Sequence, residues 1–179
     1  MVGSQTLLLP PEPMPRKPLI AAVEGHAVTG GFELALACDM IVAARTTRFG
    51  LPEVKRGLVA VGGGLLRLPK RWPYHIAIEC ILTGEELSAV RAHTHGLVNC
   101  LTDPGEALAV ALDLAQAIAA NGPLALAASK RVVQESLDWP QVEMFERQSE
   151  ITGPVLASED AREGATAFAE KRAPVWKGS

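Results

Sequence analysis

Two glutamates stand where carboxylates can do acid–base chemistry. The segment VTGGFELALACD, Val28 to Asp39, predicts an apolar helix that begins at Gly30 and Gly31 and carries Glu33 among apolar neighbours. A buried carboxylate is costly without a partner, because desolvation disfavours its charged form. Glu53, in FGLPEVKRG, follows 20 residues later (53 minus 33), the length of one helix, one strand and a turn. This spacing predicts two carboxylates at one end of a sheet, where they can divide the acid and base roles.

The glycine pair predicts a site for negative charge beside Glu33. Glycine lets the backbone approach a ligand closely, and the unpaired N–H groups at a helix start favour an oxyanion. An oxyanion would fit at this helix start. Ordinary helix chemistry accounts for the same residues, because an early glutamate and a proline such as Pro52 are typical of helix starts. Spacing alone leaves both interpretations open.

The elements that must position these residues form a crossover unit. LIAAVEG, Leu19 to Gly25, is a short continuous apolar run that predicts a fully buried strand. GFELALAC predicts a helix, and MIVAAR, Met40 to Arg45, predicts a second buried strand. Strand, glycine turn, helix and strand in this order indicate a largely parallel sheet or spiral.

The remainder of the chain is mostly helical in pattern. Two or three short helices are expected after Pro52, because Pro69 and Pro73 interrupt the helical spacing, and SAVRAHTHG and LVNCLT predict a further helix and a short strand. From Pro104 onward four more helices are expected. The predicted organisation is an extended proline-rich lead-in over residues 1–18, a spiral core over residues 19–121, and a helical region over residues 122–179.

Composition and charge exclude several classes of function. The 179 residues are 48% hydrophobic with a net charge of −3 and no long basic run, so no nucleic-acid partner is expected. The sequence has no stretch of 18 consecutive apolar residues, so no membrane span is predicted. The apolar run near Met1 is too short for a signal peptide. We therefore expect a cytoplasmic protein without a membrane partner.

Cysteine and histidine usage predicts no metal site. Cys38, Cys80 and Cys100 are widely spaced and odd in number, which indicates small core residues in a reducing compartment. His93 and His95 would point apart on a helix, and no metal-binding or phosphate-loop motif is present. No metal and no cofactor are expected.

A long segment of the chain resembles one enzyme family. KPLIAAVEGHAVTGGFELALACDMIVAARTTRFGLPEVKRGL is similar to the signature region of the enoyl-CoA hydratase/isomerase (crotonase) family, and the resemblance continues through LTGEELSAVRAHTHGLVN to SEDAREGATAFAEKRAPVW. It covers nearly everything from Lys17 onward. The resemblance implies an α/β fold of the ClpP/crotonase ββα spiral type, truncated at its N-terminus, with a C-terminal helical trimerisation region. A homotrimer or a dimer of trimers is implied as well.

The family resemblance implies a lyase that acts on an acyl-CoA thioester in fatty acid metabolism and β-oxidation. Two backbone N–H groups polarise the thioester carbonyl, and Gly30 falls at the second of these donors. Glu33 and Glu53 fall at the two catalytic glutamates of true hydratases, which hold the water that is added to a trans-2-enoyl thioester. Phe168 and Lys171, in FAEKRAP, match positions that hold the CoA moiety. A solvated basic helix end is the other interpretation of Lys171.

The sequence departs from the family pattern in two places. The first third of the family fold, with the Ala-Gly-x-Asp-type loop that supplies the first oxyanion donor, has no counterpart before Lys17. Ala60 and Val61 stand where relatives usually carry proline and glycine. Two alternatives to the hydratase therefore remain open: a non-catalytic or weakly active homologue that serves as a CoA-binding or assembly subunit, and an enoyl-CoA isomerase that uses one glutamate.

Overall fold

The computed structural model describes residues 15–179, so most of the predicted proline-rich lead-in lies outside the described residues. The described chain divides into two compact units. The first, called here the spiral unit, takes in residues 19–114, and the second, the helical unit, takes in residues 16–18 and 115–179. Gly30, Glu33 and Glu53 lie in the spiral unit.

The spiral unit is built on two small sheets of three strands each. The first sheet is wholly parallel and has the order β1 (Ile20–Val23), β3 (Met40–Ala44), β6 (Cys100–Thr102). The second sheet has the order β2 (His26–Val28), β4 (Arg48–Gly50), β5 (Leu87–Ser88), in which β2 and β4 are parallel and β5 is antiparallel. The strands β1 to β4 alternate between the two sheets, which is the arrangement of a ββα spiral.

Helices connect one turn of the spiral to the next. The helices of this unit are α1 (Gly30–Ala37), a 3-10 helix (Pro52–Arg56), α2 (Gly64–Arg71), α3 (Tyr74–Thr83), α4 (Ala89–Thr94) and the first part of α5 (Ala107–Ala119). β1, β2 and α1 form one turn, and β3, β4 and the 3-10 helix form the next. Equivalent positions of consecutive turns are therefore stacked, although they are 20 to 22 residues apart in sequence, as with Ile20 and Met40 or His26 and Arg48.

Backbone hydrogen bonds at the corners hold these turns in register. Gly25 bends the chain between β1 and β2 with a φ of +68°, a conformation that glycine adopts readily. Its carbonyl accepts a hydrogen bond of 2.9 Å from the backbone N–H of Arg48, in the next turn. The buried hydroxyl of Thr47 donates to the carbonyl of Val23 at 3.1 Å, and the Thr47 carbonyl accepts from Ala89 at 2.9 Å. Each corner is thus bonded to the one above it.

Apolar side chains from consecutive turns fill the space between the sheets and helices. Phe32 of α1 and Phe49 of β4 are fully buried, with ring centroids 5.1 Å apart. Leu36, Leu51 and Leu68 are the next largest fully buried side chains of the same cluster. Because burial of each such side chain is worth about 1.5–3 kcal/mol, this cluster determines where α1 and α2 lie against the sheets.

The helical unit is held by its C-terminal tail. Its helices are the end of α5, α6 (Pro123–Glu135), α7 (Met144–Leu156) and α8 (Glu159–Glu170), with short 3-10 turns at Ser136–Asp138 and Gln141–Glu143. The buried carboxylate of Asp160 accepts hydrogen bonds from the backbone N–H groups of Lys177 and Gly178, at 2.7 and 3.0 Å. The indole N–H of Trp176 donates to the carbonyl of Ala120 at 2.8 Å. The tail is therefore an ordered part of this unit.

Most sequence-based predictions of the elements are confirmed. β1 and β3 pair in parallel on either side of α1, and each predicted helix is present. The prediction that the first strand is fully buried is wrong, because β1 is half-buried and its Ala22 is exposed. β2, β4 and β5 were not predicted, since segments of two or three residues are too short to show a periodic pattern.

No single helix among residues 15–179 is long and apolar enough to cross a membrane. One bent pair, Ala107–Ala119 with Pro123–Asp138, meets that criterion by length and composition alone.

Stability should depend on pH through an ion pair that fastens the tail to α8. The Arg172 guanidinium and the backbone N–H of Val175 both donate to Glu163, and they lower the pKa of this carboxyl from 4.5 to about 2. A folded-state pKa below the unfolded value means that the stabilisation is complete above pH 4.5 and is lost as the pH falls toward 2. We expect the difference in melting temperature between the wild type and Glu163→Gln to shrink across this interval. A difference that stays constant from pH 6 to pH 2 would contradict the assignment.

Candidate active site

Glu33 is the fourth residue of α1 and is buried, with 2% of its surface exposed. Phe32 and Leu36 of the same helix are fully buried, so the packing of α1 against the core also fixes the position of Glu33. One carboxylate oxygen, Oε1, accepts a hydrogen bond of 2.9 Å from the backbone N–H of Gly64. The buried charge therefore has a polar partner, which the sequence analysis required but did not identify.

The start of α1 is held in an unusual backbone conformation. Thr29, the residue before the helix, has a φ of +52° and a ψ of −127°, which costs a residue with a side chain about 1–3 kcal/mol. Its N–H donates to the carbonyl of Gly50 at 2.9 Å, and its own carbonyl accepts from the N–H groups of Phe32 and Glu33, each at 3.0 Å. The neighbouring strand thus fixes where the helix begins.

The first two amides of α1 are the ones that helix geometry leaves without an intrahelical acceptor. They belong to Gly30 and Gly31. A Cβ placed on Gly31 would meet no heavy atom within 4 Å, so the backbone here faces open space. The arrangement can stabilise negative charge on a ligand atom at the helix start, as predicted for Gly30, and this role stays a prediction.

A turn of three glycines encloses the carboxylate of Glu33. A Cβ on Gly62 would lie 2.6 Å from Oε2 of Glu33, and a Cβ on Gly64 would lie 3.1 Å from its Cγ. A side chain at Gly62 would push the carboxylate end of Glu33 aside, and one at Gly64 would require Glu33 and Leu51 to give by a few tenths of an ångström, so glycine at both positions leaves the observed Glu33 geometry undisturbed. From the sequence, these glycines were expected only to be part of a region of short helices. Their unbroken run, Gly62 to Gly64, was the available signal of a close approach.

Glu53 lies in the first turn of the 3-10 helix that follows β4. Its side chain is half-buried, yet its Oε2 atom is buried and has no hydrogen-bond partner among residues 15–179. An unpaired buried carboxylate oxygen costs about 1–3 kcal/mol or more, which is the kind of cost that a ligand or a water can remove. Burial, with a smaller contribution from the charge of Glu53, raises the pKa of the Cys80 thiol, which keeps this neighbour protonated.

The spiral brings the segments that carry the two glutamates close to one another. A Cβ on Gly64 would lie 3.0 Å from the Cδ1 atom of Leu51 and 3.1 Å from the Cγ atom of Glu33. Leu51 directly precedes the 3-10 helix, two residues before Glu53. The glycine turn is thus a neighbour of both segments. That both carboxyl groups act on one bound water stays a prediction.

The two residues predicted to hold CoA lie on α8 of the helical unit. Phe168 is 87% exposed, and Lys171 follows the helix in the left-handed conformation, with a φ of +55°. The backbone N–H of Lys171 donates to the carbonyl of Phe168 at 3.2 Å, so the two residues are adjacent at the helix end. Both side chains are free to meet a ligand, which leaves the predicted role and the solvated helix end equally compatible with the geometry.

The described part of the chain shows no cluster of side chains that could hold a metal ion. Residues 15–179 contain no group of three or more histidine, cysteine, aspartate or glutamate side chains arranged to hold an ion.

Comparison with solved structures identifies the fold. An enoyl-CoA hydratase, EchA1, from Mycobacterium marinum superposes with a TM-score of 0.92 and 61% identity, over 93% of this chain and 66% of that one. An enoyl-CoA hydratase from Mycobacterium tuberculosis H37Rv superposes with a TM-score of 0.91 and 62% identity, over 92% of this chain and 66% of the other. The crotonase-type spiral predicted from the sequence is confirmed.

Comparison of sequences leads to the same family. A carnitinyl-CoA dehydratase of Salmonella typhi is 48% identical over 166 residues, which are 90% of this chain and 64% of the relative. The enoyl-CoA hydratase EchA19 of Mycobacterium tuberculosis is 45% identical over 158 residues, 88% of this chain and 59% of the relative. The chain therefore spans about three fifths of the length of these relatives. The model of the enoyl-CoA hydratase/isomerase family matches residues 14–179, and the chain belongs to that family.

Proposed function

We propose that this chain acts as an enoyl-CoA hydratase, a hydro-lyase that adds water to the trans-2 double bond of an acyl-CoA thioester. The observation that carries the proposal is the chemical contrast between two carboxylates. Glu33 is buried with one oxygen held by the Gly64 amide, and Glu53 has a buried oxygen without a partner among residues 15–179. Different environments allow two carboxylates to divide the acid and base roles.

Each residue of the site has a defined part in this reaction. The N–H of Gly30 donates to the thioester carbonyl, where negative charge develops as an enolate-like transition state forms. One glutamate takes a proton from water while the water oxygen bonds to Cβ, and the π electrons move toward the carbonyl. The other glutamate delivers a proton to Cα, so that one water is added overall. Burial of Glu33 limits other water at the reacting carbons. The reaction needs no metal or further cofactor.

Substitution of the glutamates tests this mechanism. We expect Glu33→Gln and Glu53→Gln each to lower kcat by about 10²–10⁴-fold with little change in KM, because each removes proton transfer and keeps the side-chain shape. The measurement is the loss of the conjugated enoyl-thioester absorbance with trans-2-butenoyl-CoA. Glu79→Gln is the matched control, since Glu79 is bonded to Arg91 at the surface.

Two outcomes of that experiment favour other functions. Full turnover by Glu53→Gln together with a product whose double bond has moved indicates an isomerase that uses Glu33 alone. Absence of turnover in a wild-type chain that binds CoA overturns the hydratase proposal. It then favours the second candidate, a non-catalytic CoA-binding or assembly subunit. The features that support this candidate are Phe168 and Lys171, whose exposed side chains can meet CoA whether or not Glu33 and Glu53 react.

The CoA moiety is proposed to contact Phe168 and Lys171. The ammonium group of Lys171 suits a phosphate, and the exposed ring of Phe168 offers an apolar surface beside it. We expect Lys171→Met to weaken CoA binding about 3–10-fold, measured by calorimetry, because the contact is exposed to solvent. Lys177→Met is the control, since Lys177 pairs with Glu159 in the same unit. Equal affinities of the two variants would leave Lys171 as a solvated helix end.

Self-association through the helical unit, as a trimer or a dimer of trimers, is proposed as well. Its support is apolar exposure, because α6 and α7 contain no buried residue, and Val142 and Phe145 are 93% and 82% exposed. We expect Phe145→Asp to shift the chain to monomers in light scattering after size exclusion. Leu82→Asp, at an exposed apolar position of α3, is the control. A wild-type monomer, or equal dissociation by both variants, contradicts the assignment.

A role in fatty acid β-oxidation in the cytoplasm completes the proposal. Cys38, Cys80 and Cys100 form no disulfide bond in the part of the chain that the structure describes, which suits a reducing compartment. Hydration of the enoyl thioester gives a 3-hydroxyacyl thioester, which is the product that β-oxidation requires of a hydratase.

A further inference from the structure

Arg67, on α2, lies against the glycine turn that encloses Glu33. Its backbone N–H donates to the carbonyl of Gly63 at 2.9 Å, within the helix start. Its side chain folds back, and Nη1 donates to the carbonyl of Gly62 at 3.0 Å. A Cβ on Gly63 would lie only 2.1 Å from the same nitrogen, so the half-buried guanidinium covers the turn directly.

The opposite side of this turn contacts the carboxylate of Glu33. The Gly64 amide donates to Oε1 at 2.9 Å, and the absence of a side chain at Gly62 makes room for Oε2. The hydrogen bonds made by Arg67 and by Glu33 therefore lie on two consecutive peptide groups that are joined at the Cα atom of Gly63. The orientation of the Gly62 carbonyl thus limits the positions open to the Gly64 amide.

Three consecutive glycines do not hold such a geometry by themselves. Glycine loses more conformational freedom on folding than any other residue, and Gly63 adopts a φ of +97° that only glycine accepts readily. A donor aimed at a reacting group is effective when it is already in place before the reaction. The turn therefore needs an external contact, and the planar guanidinium of Arg67 supplies one.

We propose that Arg67 is a positioning residue that fastens the Gly62–Gly64 turn and, through the Gly64 amide, fixes the carboxylate of Glu33. The effect on turnover rests on the proposed function of Glu33, whereas the effect on the turn does not. Arg67 touches no reacting atom in this account.

Arg71 provides a matched comparison one turn further along α2. Its Nη1 atom also donates to a backbone carbonyl, that of Cys38 at 2.6 Å, at the far end of α1. Burial, with a contribution from neighbouring Arg67, lowers the pKa of Arg71. Loss of either guanidinium removes one bond to a carbonyl from the same helix, but only Arg67 contacts the glycine turn. A general effect on α2 would be common to both substitutions.

Hydrogen exchange at the Gly64 amide tests the inference without any assay of activity. We expect Arg67→Met to speed exchange at this amide about 3–10-fold, which corresponds to the net loss of one hydrogen bond. Arg71→Met should leave it unchanged, and Glu33→Gln identifies how much protection the carboxylate provides. Equal exchange in Arg67→Met and the wild type overturns the proposal, as does equal acceleration in Arg71→Met. If Arg67→Met does not fold, exchange at the Gly64 amide is compared in the same way for Arg67→Lys.

Kinetics of the full chain provide the second readout. We expect Arg67→Met to lower kcat about 10–100-fold with KM within about threefold, and Arg67→Lys to recover part of this loss. A change confined to KM contradicts a positioning role. Full turnover by Glu33→Gln refutes the proposed function of that residue, and the exchange measurement then still decides whether Arg67 holds the turn.

Discussion

The burial of the Glu33 carboxylate is the constraint on which the site depends. A carboxylate removed from water must be bonded, and here the bond comes from the amide of Gly64 and not from a cationic side chain. A backbone donor can reach a buried oxygen only where no side chain intervenes, which is why the surrounding turn consists of glycine. A peptide N–H supplies this bond without placing a positive charge beside the carboxylate.

The stacking of the spiral makes this contact possible. Glu33 and Gly64 are 31 residues apart, and they meet because α1 and α2 belong to consecutive layers of one unit. The corners set the spacing of those layers through the bonds from Arg48 to Gly25 and from Ala89 to Thr47. The strain at Thr29 is sustained by the same framework, since its N–H is bonded to Gly50 of the neighbouring strand. Rigid layers thus support the atoms at the start of α1.

Sequence reasoning succeeded where the signal is local and periodic. The apolar run of β3, the glycine start of α1 and the helices after Pro104 each lie in short windows of sequence that determine them. It did not find the partner of Glu33, because a contact between residues 33 and 64 depends on how two turns of the spiral stack. β1 was expected to be fully buried, although an apolar run does not reveal how many of its faces are covered. The burial of one Glu53 oxygen likewise depends on neighbours distant in sequence.

The clash that any side chain at Gly62 would make with Glu33 has a consequence for divergence within this family. A methyl group at position 62 would fall 2.6 Å from Oε2, which is the far end of a flexible side chain, so the carboxylate would have to turn aside to make room. That turn would disturb the hydrogen bond between Oε1 and the Gly64 amide. Residue 62 therefore influences how the carboxylate is oriented, and a descendant of this sequence with a larger residue there would hold Glu33 differently even though the glutamate itself is unchanged.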